Sequence, residues 1–301
     1  MLEATRTKTG AGTTPLGLGA AGMAAIGWGF AGIFATLASP SGIVLTFYRM
    51  WIGAGLLSVI LIVSGRRISW LLLRRSLFGG LLLAGDMALF FSSIKLTSVA
   101  VATVISALQP ALMMIAARPL TGEHVDRWDA SWAGVAIAGV AAVALGAGVP
   151  GSHELLGDML AIGSLLSWSG YFLVAKRARR RVDALDYTAG VMITGAIPIS
   201  IVALLSGASL AGVRAGDWLW IALLAVVPGS AHLLMNWAHR YVDVSVSSLI
   251  GSANPVVAAT AGFVILGQAL SPVQVAGGLL GVAAIAIVAS RHRHQPEPPV
   301  P

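Results

Sequence analysis

The chain has 301 residues, 57% of them hydrophobic and only 10% charged, with mean hydropathy +0.86 and net charge +7. Soluble domains carry about 25% charged residues, so this chain cannot clothe a water-facing surface, and its main solvent is lipid. Cysteine is absent, which excludes disulfides and thiolate chemistry. The basic residues form short clusters between apolar runs, where they face lipid headgroups rather than nucleic acid.

The head, residues 1–15, is polar and Thr-rich and reads as a disordered tail. A helix needs about 20 apolar residues to cross the bilayer core. Ten runs meet that need: Leu16–Ala38, Gly42–Ser64, Leu77–Leu96, Ser98–Ala117, Ser131–Val149, Leu155–Ala175, Tyr187–Ser206, Trp218–His239, Val244–Leu266 and Pro272–Ser290. Residues 291–301 are basic and then proline-rich, a second disordered tail. Connections such as Ser39-Pro40-Ser41 are short and force neighbouring spans to be antiparallel.

Orientation follows from Lys and Arg. With the N-terminus in the cytoplasm, cytoplasmic segments hold sixteen basic residues, among them Arg66, Arg67, Arg74, Arg75 and the Lys176–Arg181 cluster. The outer segments hold only Lys95 and Arg214, and Arg49 lies within a span. An odd number of spans would scramble this alternation. Both termini are therefore expected in the cytoplasm.

Two stretches 145 positions apart match. Lys95–Pro110 recurs as Arg240–Pro255, with Val99, Val101, Ile105 and Pro110 repeated as Val244, Val246, Ile250 and Pro255. The register continues from Gly122-Glu123 to Gly267-Gln268. The expected repeats are residues 16–149 and 150–290, five spans each. Five is odd, so the second copy enters the membrane inverted relative to the first, a pattern shared by many secondary transporters.

Two five-span repeats joined by the Arg-rich Lys176–Arg181 segment resemble the EamA-type members of the drug/metabolite transporter superfamily. The matching features are Phe47-Tyr48-Arg49, Gln109-Pro110, Asn254-Pro255, the Gly122-Glu123 and Gly267-Gln268 exits, and one tryptophan in the first span of each repeat, Trp28 and Trp168. The resemblance implies a multi-pass carrier of the bacterial inner membrane, exporting amino acids or related metabolites. It also implies a central pathway lined by spans one to four and six to nine, with spans five and ten peripheral.

Ionisable residues at mid-membrane cost about 2.5–3.5 kcal/mol on insertion scales and face the bundle interior. Asp86 lies near the middle of the third span and Arg49 in the outer half of the second. They are placed either to pair with each other or to serve a substrate ammonium or a proton. His232 and Asn236 are one turn apart and share a face of the eighth span, after Pro228-Gly229, which is expected to bend that helix. His232 is either a bond to a neighbouring helix or a pH-sensitive pathway residue. Thr103, Ser106 and Gln109 form one stripe, and Ser248, Gly251 and Asn254 the equivalent one. These polar residues serve either as interhelical glue or as cavity lining, with Pro110 and Pro255 bending their helices. Trp168 and Tyr171 share a face and can stack on an apolar group or hold an ammonium. Trp70, Trp128, Trp132, Trp218 and Trp220 read as interfacial anchors. Gly277 and Gly281 form a small-xxx-small pair for close helix contact within or between molecules.

Phosphate-binding glycine loops, H-E-x-x-H and a nucleophile elbow are all missing from the sequence. The expectation is therefore a secondary carrier and not an enzyme, with no cofactor or metal. Its partners would be a small-molecule substrate and the lipid bilayer. Proton coupling is left open, as is the choice between monomer and homodimer. Cationic drug efflux and a non-transporting membrane scaffold are the competing readings.

Overall fold

A computed structural model describes residues 14–96, 102, 105–121, 125–146, 155–267 and 269–292. Among them the regular structure is helical: α1 (Pro15–Gly29), α2 (Ala31–Leu37), α3 (Gly42–Val63), α4 (Trp70–Leu96), α5 (Gln109–Thr121), α6 (Arg127–Gly146), α7 (Leu155–Ala178), α8 (Ala184–Leu205), α9 (Asp217–Ala238), α10 (Val244–Gly251), α11 (Asn254–Leu266) and α12 (Pro272–Arg291). Nine apolar segments among the described residues are long enough to cross a membrane. The expected fourth span, Ser98–Ala117, lies partly outside the described residues, as do both terminal tails.

Local chemistry sets the helix ends. Thr14 caps α1, its hydroxyl accepting from Gly17 N at 3.1 Å, and Pro15 follows in the first turn, where a missing N–H costs nothing. Asp183 caps α8 through Leu185 N. Ser271 and Gln274 form a reciprocal capping box on α12. At the end of α11, Gly267 turns left-handed at φ 66°, a conformation glycine adopts without a Cβ clash.

Three expected single spans are interrupted. The first breaks at Phe30, between α1 and α2. The ninth breaks at Ser252–Ala253, and α11 then restarts at Asn254 with Pro255 in its first turn. In the fourth, a turn at Ala107–Leu108 precedes α5, which starts at Gln109-Pro110. Pro110 and Pro255 therefore open new helices rather than bend old ones, in the first turn, where the N–H that proline lacks has no partner to lose. Pro228, expected to bend the eighth span, lies inside the continuous helix α9.

The packing of the helices carries a symmetry. Helix α4 packs on α7 and α1 on α9; α4 packs on α8 and α3 on α9; α3 packs on α8, α5 on α10, and α6 on α12. Exchanging α1, α3, α4 and α6 for α7, α8, α9 and α12 returns the same pairs among those eight helices. The α6–α12 seam is a close backbone-to-backbone crossing. A Cβ on Gly139 would lie 2.6 Å from Gly277 O and Gly281 N. The glycine pair of α12 is thus spent on contact within the molecule.

At one end of the bundle, Arg66 bridges Asp183 at 3.0 Å and Asp186 at 3.2 Å. There, too, the basic cluster departs from the headgroup-facing expectation. Lys176 and Arg179 are buried; Lys176 Nζ donates to Val242 O at 2.6 Å, and Arg179 Nε to Asn236 O at 2.7 Å, with Nη1 on Val182 O. Carbonyls left over at the end of α9 need donors, and these cations supply them. At the opposite end, Tyr48 OH donates to Leu210 O at 2.6 Å and Ser39 N to Asp217 at 3.0 Å. These bonds border a cavity of about 340 Å³ lined by Ser39, Ser41, Arg214 and Asp217. Trp70, Trp128 and Trp218 are exposed and Trp132 and Trp220 half-buried, as suits residues at the membrane boundary.

Candidate functional site

Aromatic residues from both halves converge at the centre. Trp28 of α1 meets Trp168 of α7 edge-on, with ring centroids 5.0 Å apart, and His232 of α9 at 5.2 Å. Trp168 stacks on Tyr171 at 5.4 Å and 19° and touches Phe172 at 4.8 Å. Phe172 in turn meets the His239 ring at 4.8 Å. Gly251 of α10 closes one side; a Cβ there would come within 3.5 Å of Trp28 and 3.9 Å of Phe172, ordinary contact distances. A side chain much larger than methyl at that position would enter the aromatic cluster.

Arg49 and Asp86 do not form the pair that their similar depth suggested. Arg49 Nη2 instead meets His232 Nε2 at 3.1 Å, and among the described residues no ion pair joins Arg49 to Asp86 within 4.0 Å. The guanidinium has donors only, so His232 Nε2 must be the acceptor and its proton sits on Nδ1. Asp86 is half-buried and its Oδ1 accepts from Ser164 Oγ at 2.6 Å. Ser164 lies one turn before Trp168 on α7, so the aromatic face and the acid's partner share a helix face.

Asn236 is fully buried and satisfied. Its amide exchanges hydrogen bonds with Tyr171 OH at 2.8 and 3.0 Å and donates to Thr188 Oγ1 at 3.0 Å. This network ties α7, α8 and α9 together. Other buried donors have no partner among the described residues: Arg49 Nε, His232 Nδ1, Trp28 Nε1 and Gln109 Nε2. Gln109 is buried at the start of α5, which packs on α7 and α10, the helices of Trp168 and Gly251.

The described hydroxyls of the two stripes bond along the chain. Ser106 Oγ donates to Ala102 O at 2.9 Å and Ser248 Oγ to Ser245 O at 2.8 Å. Each donates to a carbonyl three or four residues before it. Asn254 is half-buried at the start of α11. Thr103 lies outside the described residues. Phe172, Ser164 and Thr188 join the site without having been singled out in the sequence. Ser164 carried a signal, its i, i+4 spacing from Trp168. Thr188, brought in by the packing of α8, carried none.

The model of the EamA-like transporter family matches residues 15–145 and 155–290. The chain is 25% identical over 202 residues to an uncharacterized transporter of Archaeoglobus fulgidus, covering 67% of this chain and 71% of the relative. A crystal structure described only as that of a protein superposes with a TM-score of 0.78 at 20% identity, covering 94% of this chain and all of the other. That likeness shows a shared fold.

Proposed function

Because the chain belongs to the EamA-like transporter family, we propose that it is a secondary carrier of the bacterial inner membrane that exports small amphipathic metabolites, amino acids first, by alternating access. The observation that carries this reading is the meeting of Arg49 and His232 with an aromatic cluster drawn from both halves of the chain, with Asp86 bonded to Ser164 one turn from Trp168. Trp28, Trp168, Tyr171 and Phe172 offer flat apolar walls to a side chain, and the charged residues offer polar ends. Ligand sites of this kind combine apolar lining with a few placed polar groups. The symmetric packing supplies two halves that can rock about this centre. Gln109, Asn236 and Asn254 stand around it as further lining or support. One cation at the centre argues against phosphorylated sugars and nucleotides, whose dianions need several.

Cationic drug efflux is the second reading, favoured by half-buried Asp86, whose partner Ser164 lies one turn from Trp168, and by aromatic rings that can hold an ammonium. Proteoliposomes loaded with amino acids, nucleosides and cationic dyes, assayed for counterflow with and without a pH gradient, separate the two. Counterflow of amino acids is the expected result. Counterflow of dyes alone, abolished together with proton coupling by Asp86→Asn, would establish the second reading, and silence across the panel would sink both.

A further inference from the structure

Among the described residues, the groups that the Arg49–His232–Trp28 contact leaves buried and unpartnered are donors: Arg49 Nε, His232 Nδ1 and Trp28 Nε1. They belong to groups in mutual contact, Arg49 bonding His232 at 3.1 Å and the His232 and Trp28 rings lying 5.2 Å apart. The tautomer forced by Arg49 makes Nδ1 of His232 a third N–H of this set. The acceptors nearby are already engaged: the Asn236 amide oxygen takes Tyr171 OH, and the Tyr171 and Thr188 oxygens take the Asn236 amide. What this face lacks is negative charge and lone pairs. Asp86 stands apart, within electrostatic reach of Arg49 but not paired with it, half-buried, with one oxygen held by Ser164.

We infer that the Arg49–His232–Trp28 face takes the carboxylate of the substrate and that Asp86 takes its ammonium, so that the site reads a zwitterion by its polarity. This rests on the transport reading above and sharpens it. A carboxylate offers about four lone-pair sites and can take two parallel bonds from a guanidinium, which answers both deficits at once. A cationic ligand seated there would bring more donors and a like charge. Trp168 and Tyr171 then face the remaining side chain of the substrate. The Arg49 face sets affinity for the acid end, and Asp86 discriminates a free amino group from its absence.

The test uses the full chain in lipid nanodiscs, titrated calorimetrically with phenylalanine, 3-phenylpropanoate and phenethylamine, and the same probes in proteoliposome counterflow. Phenylalanine and 3-phenylpropanoate should bind, and phenethylamine about ten-fold more weakly or worse, the scale of a lost charge-assisted bond. Arg49→Gln should weaken both acids by a similar factor. Asp86→Asn should weaken phenylalanine and leave 3-phenylpropanoate unchanged. If Arg49→Gln does not fold, the three-probe series on the unmodified chain decides alone. Phenethylamine binding as tightly as phenylalanine would overturn the polarity while leaving transport intact. If none of the three binds while nucleosides or dyes are carried, the amino-acid reading fails and the polarity fails with it.

Discussion

Gly139→Ala places a methyl group into the close crossing of α6 and α12. Its Cβ would lie 2.6 Å from Gly277 O, 2.6 Å from Gly281 N and 2.8 Å from Gly281 Cα. All three are backbone atoms, so no rotamer change can make room and α6 must move away from α12. Overpacking costs about 1–3 kcal/mol, and alanine returns about 1 kcal/mol in helix propensity. Because the obstacles are rigid, the upper part of the range applies, and a net loss of roughly 1–2 kcal/mol follows. Two controls share the chemistry without the clash. Gly134, on the same helix, has nothing within 4 Å of its added Cβ, and Gly281 meets nothing nearer than 3.5 Å. The assay is intrinsic tryptophan fluorescence during thermal unfolding of the three variants in one detergent. Gly139→Ala should melt below the unmodified chain, with Gly134→Ala and Gly281→Ala at or above it. Gly139→Ala melting level with Gly134→Ala would refute the reasoning, because the seam would then have slack that the distances deny.

Two other outcomes are expected. Tyr171→Phe removes the hydroxyl that Asn236 bonds, and should cost about 0.5–1.5 kcal/mol of stability; Asn236→Leu, which leaves the buried Tyr171 hydroxyl without its partner and also removes the bond to Thr188, should cost more in the same unfolding measurement. Asp126 is held below the usual carboxylate range by the Arg291 guanidinium, which donates to it at 2.9 Å. A carboxyl depressed in the folded state contributes stability above its unfolded pKa, and that contribution fades as the pH falls through the folded value. Melting temperature should therefore drop on acidification below about pH 4, and Asp126→Asn should flatten that slope; an unchanged slope would show that the Arg291 bond contributes nothing to it.

Most of the spans were legible because lipid imposes a length and a polarity on each of them. The duplication was legible in the paired texts from Lys95 to Pro110 and Arg240 to Pro255. The break at Phe30 was not, since Gly29-Phe30-Ala31 contains neither proline nor a charged residue. The breaks before Gln109 and Asn254 were announced by their prolines, but a proline alone does not say whether a helix bends or begins again. Trp168 and Tyr171 were placed on one face by spacing, whereas the Arg49–His232 bond joins residues 183 positions apart. Helical periodicity yields a face and not the partner across from it, so that bond waited for the packing of α3 against α9. Composition failed at Lys176 and Arg179, because it counts charges without seeing the helix carbonyls that call them inward.

Exchange of the two halves leaves the helix pairs unchanged, as rotation leaves the interface of a two-fold dimer unchanged. In a dimer of identical five-helix subunits, every residue at such an interface would appear twice. An arginine on the axis would face its own copy, and so would an aspartate. The joined chain is free of that constraint. Helix α8, the counterpart of α3, carries no lysine or arginine, and the acid of α9 stands at its first residue and not inside it as Asp86 does in α4. Joining the halves makes their association intramolecular and independent of concentration. It also lets one centre hold a single cation and a single anion, a dipole that no two-fold symmetric assembly can place across its own axis.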